Sequence, residues 1–177
     1  VQAIHMPDSE GASILAELTP PYTLRMPVKQ LTPVVFCSPH SGSIYPKAFL
    51  EASRLDPHTL RKSEDCYVDE LFEPVVALGA PLIAARFPRA YLDVNREPYE
   101  LDPELFQGRL PAFANTQSAR VVGGLGTIAR IVADTEEIYR DRLPVGAAFE
   151  RIERLYRPLH GALAGALEGT RKRFGMA

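Results

Sequence analysis

An α/β domain, its helices packed on a mixed, largely parallel sheet, is the fold the sequence predicts, and three observations carry that expectation. Apolar runs without alternation, at 34–37, 81–87 and 91–94, read as strands covered on both faces. Apolar residues at steps of three and four, over 68–78 and again over 145–173, read as amphipathic helices. Strands and helices therefore alternate along the chain, the order that lays helices against a sheet instead of setting them apart from it.

The elements follow in sequence. Residues 1–32 contain Pro20, Pro21 and Pro27 with weak periodicity, and read as an extended lead-in with one short helix near 12–18. Val34, Val35, Phe36 and Cys37 lie between Pro33 and Ser38-Pro39, a strand whose C-terminal end delivers His40. Over 68–78 the stripe Val68, Leu71, Phe72, Val75, Val76 and Leu78 is closed by Gly79, and Pro74 is expected to bend or divide the helix. The runs at 81–87 and 91–94 supply the second and third strands. Residues 97–118, rich in Pro, Gln, Asn and turn formers, predict a long irregular excursion suited to covering a cleft. Gly123, Gly124 and Gly126 invite a phosphate-loop reading, yet neither Gly-Lys-Ser/Thr nor a full dinucleotide fingerprint accompanies them, which favours a glycine-bearing turn. Phe149, Ile152, Tyr156, Leu159, Leu163 and Leu167 form the seam of a long helix, with a kink expected at Pro158.

The chain has 177 residues, 20 positive and 22 negative formal charges and 46% hydrophobic residues. That is enough for one domain over 1–177 with a core of its own, without disulfides or a structural metal. A net charge of −2 supplies no basic field, which argues against nucleic acid or a membrane surface as partner. No run reaches the roughly 18 apolar residues of a membrane span, and the first residues lack the basic and apolar regions of a signal peptide, so a cytoplasmic setting is expected. Cys37 and Cys66 suit a reducing compartment and read as packing residues.

Three segments hold side chains able to carry chemistry. In Ser38-Pro39-His40-Ser41-Gly42, His40 lies where a strand gives way to a loop, the crevice in which open α/β sheets bind ligands; it is either a hydrogen-bonded loop histidine or a metal ligand. Glu64 and Asp65 lie in the acidic cluster at the start of the 68–78 helix, where Ser63 or Asp65 can cap it and acids in its first turn complement its dipole, or where a carboxylate can join an imidazole on a zinc ion. In the stretch 86–96, Arg86, Arg89, Asp93, Asn95 and Arg96 surround a short apolar run, with Asp93 and Asn95 expected on one strand face. Paired guanidinium donors match a carboxylate, Asn adds a neutral donor, and Asp can hold an arginine in position, so the set reads as an anion pocket. The other histidines read as bystanders: His160 packed against the core, His5 and His58 solvated.

Taken together, PVVFCSPHSGSIYP, RKSEDCYVDELF, GAPLIAARFPRAYLDVNREPYELDPELF, GLGTIARIVADTEEIY and ERIERLYRPLHGAL resemble the N-formylglutamate amidohydrolase family in order and spacing. The likeness runs from about residue 33 to 175. It implies a three-layer α/β/α hydrolase with a mixed sheet, similar to zinc carboxypeptidases and aspartoacylases, acting on the amide of an N-acyl acidic amino acid. It further implies one zinc ion, with His40 as a ligand. The related peptidases take a Glu three residues later, where this chain has Ser43, which makes Asp65 the candidate carboxylate ligand and Glu64 its reserve. By the same resemblance Arg89 polarises the scissile carbonyl, while Asn95 and Arg96 hold the substrate carboxylate. Family members are longer, and a later Cys-His-Ser string and a Glu general base have no counterpart here, so these residues correspond to an N-terminal portion and a further ligand is expected from outside them. His40 and Asp65 are expected close enough to share an ion, with Arg89 and Arg96 opening to the same cleft.

Overall fold

A computed structural model describes residues 9–132 and 136–176. His5 lies outside the described residues. β3 (Leu82–Ala85) is buried along its whole length and forms the centre of a three-stranded sheet. β1 (Tyr22–Arg25), within the lead-in segment, pairs with it antiparallel in the register Tyr22 to Ala85. β2 (Phe36–Ser38) pairs with it parallel, Phe36 opposite Leu82. The sheet is therefore mixed. A second, two-stranded parallel ladder joins β4 (Phe106–Gln107) to β5 (Leu143–Pro144).

Helices surround these strands. α1 (Ser9–Glu17) begins before the span expected from the sequence, and α2 (Lys47–Ala52) and α3 (Pro57–Leu60) follow β2. Asp56 caps α3 by accepting from the backbone N–H groups of His58 and Thr59, with Pro57 at the first helical position. α6 (Ala119–Val122) is capped by Ser118 and ends in the glycine-bearing turn. α7 (Val145–Arg151) runs through a π turn over Ile152–Tyr156 into α8 (Arg157–Phe174). The irregularity expected at Pro158 is thus met by a π turn just ahead of it, since proline has no N–H for the preceding turn. Among the described residues, no helix is long and apolar enough to cross a membrane.

The core joins Ile14 of α1, Leu18 just after it, Phe49 of α2, Leu60, Ile83, Phe87, Leu92, Phe106, Ile128 and Leu155. Each fully buried aliphatic or aromatic side chain contributes about 1.5–3 kcal/mol by transfer from water. Arg151 is 1% exposed amid this apolar packing. It donates to Glu10 of α1 at 2.6 Å, to the Tyr91 carbonyl at 3.0 Å and to the Tyr139 hydroxyl at 2.7 Å, with its guanidinium carbon 4.0 Å from the Tyr91 ring centre. A buried charge is tolerated only when so fully paired.

Four sequence expectations are corrected. The run 91–94 is buried but is no strand: Tyr91 and Leu92 N–H groups turn back to the Pro88 carbonyl, and the Asp93 side chain accepts from Asn95 N–H at 2.9 Å, an Asx turn that competes with a ladder. Asp93 and Asn95 consequently do not share a face, Asp93 being buried and Asn95 exposed. Pro74 divides the 68–78 helix into α4 (Val68–Phe72) and α5 (Pro74–Ala77), but the stripe is not covered, with Leu71 73% and Leu78 70% exposed. Cys37 and Cys66 are exposed, not packed, because β2 is a sheet edge and Cys66 sits in a turn. The excursion 97–118 is largely irregular as expected, although the cleft described below is lined by 125–132 in its place.

Candidate active site

Gly42 fixes the loop that carries His40. A methyl group at its Cα would lie 2.2 Å from the Phe87 carbonyl oxygen, so the His40 loop and the strand exit at 86–87 touch backbone to backbone. The Ile44 N–H donates to the Arg86 carbonyl at 3.0 Å across this approach, and the Ser38 and Ser41 hydroxyls are hydrogen-bonded at 2.7 Å. Gly42→Ala is expected to cost about 1–3 kcal/mol of stability, the range for forcing extra atoms into packed space. Denaturant unfolding checks it, and a loss below 0.5 kcal/mol, on the order of an ordinary surface substitution, would show that the loop can move aside.

His40 is buried, and its two ring nitrogens meet two carboxylates. Nε2 lies 2.8 Å from Asp93 Oδ1, and Nδ1 lies 3.4 Å from Asp65 Oδ2. The Asp65 N–H also donates to the His40 carbonyl at 3.1 Å, tying the two loops by backbone. The expected pair is therefore together. Two ligands each about 2.0–2.2 Å from a tetrahedral zinc stand roughly 3.4 Å apart, which is the Nδ1 to Oδ2 separation found, so the two donors fit one ion. A histidine ligand whose other nitrogen is held by a carboxylate is also the usual arrangement behind a bound metal. Among the described residues, no cluster of three or more His, Cys, Asp or Glu is set to hold a metal.

Glu64 does not stand in for Asp65. Its side chain, 2% exposed, takes Arg61 in a two-pronged pair at 3.0 and 3.1 Å and accepts from the Tyr45 hydroxyl at 2.9 Å. Burial, then Glu64 itself, pushes the Tyr45 hydroxyl well above its ordinary pKa, so Tyr45 stays a proton donor to that carboxylate.

Asp93 is the hub. Besides His40 it accepts from the Asn95 N–H on Oδ1 and from Arg89 Nε at 3.0 Å on Oδ2, and the Arg96 guanidinium stands 3.4 Å from Oδ2. Burial alone would raise the Asp93 pKa; the His40 hydrogen bond and charge, the Asn95 N–H and Arg89 outweigh it and hold the group below its ordinary value. Arg96 is fixed further by donating to the Leu125 carbonyl at 3.2 Å and the Asn95 carbonyl at 3.0 Å. Arg89, Asp93 and Arg96 line a cavity of about 260 Å³, together with Lys62 and the apolar Ala90, Leu125, Ala129, Ile131 and Val132. The Asn95 side chain is exposed and is not among the groups lining that cavity; its backbone is what the site uses.

The remaining histidines match their expected roles where described. His160 stacks on Tyr156 with ring centres 4.2 Å apart and is hydrogen-bonded to the Val94 carbonyl at 2.9 Å, while His58 is exposed. A second cavity of about 270 Å³, near Arg54, Arg130, Arg140 and Arg142, is largely self-neutralised: Arg130 pairs with Asp102, Glu104 and Glu137, and Arg54 with Glu137. Sequence reasoning placed Asp93 as a holder of arginine but missed its bond to His40, 53 residues away. Lys62 went unnoticed, its only signal being its place three residues before Asp65.

Comparison with known proteins gives one family. The family model for N-formylglutamate amidohydrolase matches residues 32–177. An N-formylglutamate deformylase of Pseudomonas putida is 28% identical over 151 residues, covering 82% of this chain and 49% of the relative. The crystal structure of an N-formylglutamate amidohydrolase from Ralstonia eutropha JMP134 superposes with a TM-score of 0.80 at 40% identity, covering 88% of this chain and 54% of that one. The chain thus spans about half the length of these relatives.

Proposed function

The chain belongs to the N-formylglutamate amidohydrolase family, and from that premise we propose that it takes part in zinc-dependent hydrolysis of the amide bond of an N-acyl acidic amino acid, N-formyl-L-glutamate giving formate and L-glutamate. The observation that carries the reading is the Asp93 carboxylate, which joins His40 on one oxygen to Arg89 and Arg96 on the other, the two arginines and Asp93 itself lining the cavity while His40 and Asp65 lie behind it. In this reading His40 Nδ1 and Asp65 hold the ion, and Asp93 keeps the His40 proton on Nε2 so that Nδ1 is free to bind. Zinc held there would supply Lewis acidity, bringing the pKa of a bound water down toward neutrality. Arg89, anchored through Nε, turns its remaining donors to the scissile carbonyl oxygen and stabilises the negative charge that develops there. Arg96, held at three points, presents a fixed fork to the substrate carboxylate, while Asn95, expected to share that task, contributes its backbone N–H to Asp93.

The further ligand and the general base come, in this proposal, from polypeptide outside these 177 residues, in a three-layer α/β/α domain. Support comes from β2, a sheet edge flanked by exposed apolar side chains: Val34 is 47% exposed, and Phe72, whose ring contacts that of Phe36, 44%. Such an edge is a ready surface for further strand and helix packing. The two-donor count favours one alternative, a carboxylate-binding domain without catalysis.

Formate release from N-formyl-L-glutamate by the protein at the full length of its relatives separates the two. Chelator-sensitive turnover supports the hydrolase; binding of the substrate without turnover supports the alternative. Within the hydrolase, Arg96→Lys is expected to raise KM about tenfold despite keeping the charge, because an ammonium cannot offer the planar two-donor match. An unchanged KM would remove Arg96 from carboxylate binding.

A further inference from the structure

Arg89 and Arg96 account for a polarised carbonyl and one carboxylate, yet the proposed substrate class carries two carboxylates. The cavity holds a third cation. Lys62 lines it beside Ser63 on the turn that follows α3, three residues ahead of Asp65. Among the described residues, Asp93 is the one acidic group lining the cavity, and its oxygens are committed to His40, Asn95, Arg89 and Arg96. With Glu136, which pairs with Lys62 at 3.5 Å, the described groups at the cavity are three cations against two carboxylates, a net positive site suited to an anionic ligand.

We propose that Lys62 reads the side-chain carboxylate of the substrate and so selects N-acyl dicarboxylic amino acids over neutral ones, an inference that rests on the hydrolase reading of the same cavity. The division of labour follows from how each cation is held. Arg89 is anchored through Nε to Asp93, and Arg96 is held by two backbone carbonyls beside the same carboxylate, which suits groups whose position must vary little. Lys62 is 41% exposed, and among the described residues its partner is Glu136, across the cavity rim at 3.5 Å. A flexible ammonium with three donors can keep that contact and still take a carboxylate, a fit for the mobile end of a glutamyl side chain. The apolar walls at Ala90, Leu125, Ala129 and Ile131 face the methylenes that such a side chain places between its charges. At about 260 Å³ the space is of amino-acid size, below the usual range for drug-sized ligands.

Titration calorimetry at low salt with N-formyl-L-glutamate and its neutral isostere N-formyl-L-glutamine tests the proposal. The wild type should bind the glutamate compound at least tenfold more tightly. Lys62→Met should abolish that preference, chiefly by weakening N-formyl-L-glutamate, and Lys62→Arg should restore most of it. Glu136→Gln, by removing the competing carboxylate, should tighten N-formyl-L-glutamate two- to fivefold without changing the glutamine compound. Thermal unfolding of each variant checks that the exposed substitutions leave the fold intact. If Lys62→Met retains the tenfold preference, Lys62 is not the reader, while the hydrolase reading stands. If the wild type binds both compounds equally, the selectivity inference falls alone. If the wild type binds neither, the cavity is not a substrate site and both readings fall.

Discussion

Asp93→Ala is expected to destabilise the protein by about 3–5 kcal/mol, the cost of removing one member of a buried, hydrogen-bonded charge set and leaving the others unpaired. The side chain is 4% exposed and serves four groups at once: His40, the Asn95 N–H, Arg89 and Arg96. Zinc affinity should fall by roughly 10- to 100-fold, because nothing then fixes the His40 tautomer. Asp93→Asn keeps the shape, but its amide nitrogen cannot accept from an arginine, so an intermediate loss is expected. Denaturant unfolding and a zinc titration read the two effects separately. A stability loss under about 1 kcal/mol, ordinary for a point substitution, would mean that Asp93 is not the hub.

Arg89→Ala should lower kcat for N-formyl-L-glutamate by roughly 10²- to 10³-fold in the full-length protein, with KM little changed, as for loss of a single oxyanion donor. The asymmetry follows from the site. Arg89 spends Nε on Asp93, and among the described residues that is its one hydrogen bond, whereas Arg96 is held by Asp93 and two backbone carbonyls. An interaction made with the developing charge raises kcat; one made equally with substrate and transition state changes only KM. A change confined to KM would move Arg89 into ground-state substrate binding.

What could be read beforehand was local. A strand ending just before Pro39-His40 and an acidic cluster ahead of a helix each announce themselves within a few residues, and His40 and Asp65 are found side by side, although the strand is a half-exposed sheet edge and not the fully covered one that its apolar run suggested. What could not be read was long-range. The 91–94 run is apolar enough for a strand, but Asp93 diverts its own backbone into an Asx turn and spends its other contacts on His40 and two arginines, none of which a hydrophobic period records. Arg151 looks like one more charge on an amphipathic helix. Its burial depends on Glu10, Tyr91 and Tyr139, brought in from three distant segments. The exposed Leu71 and Leu78 err the opposite way: the helical stripe is present, and nothing among the described residues covers it.

Asp93 occupies Nε2 of His40 and, in the proposed site, leaves Nδ1 and Asp65 to a zinc ion. An anomalous difference map at the zinc edge, from crystals grown with zinc, tests it most directly. The expected result is a peak about 2.0–2.2 Å from His40 Nδ1 and an Asp65 carboxylate oxygen, with the bond between Nε2 and Asp93 intact. A peak on Nε2 with Asp93 displaced, or zinc bound elsewhere while His40 and Asp65 stay free, would contradict it.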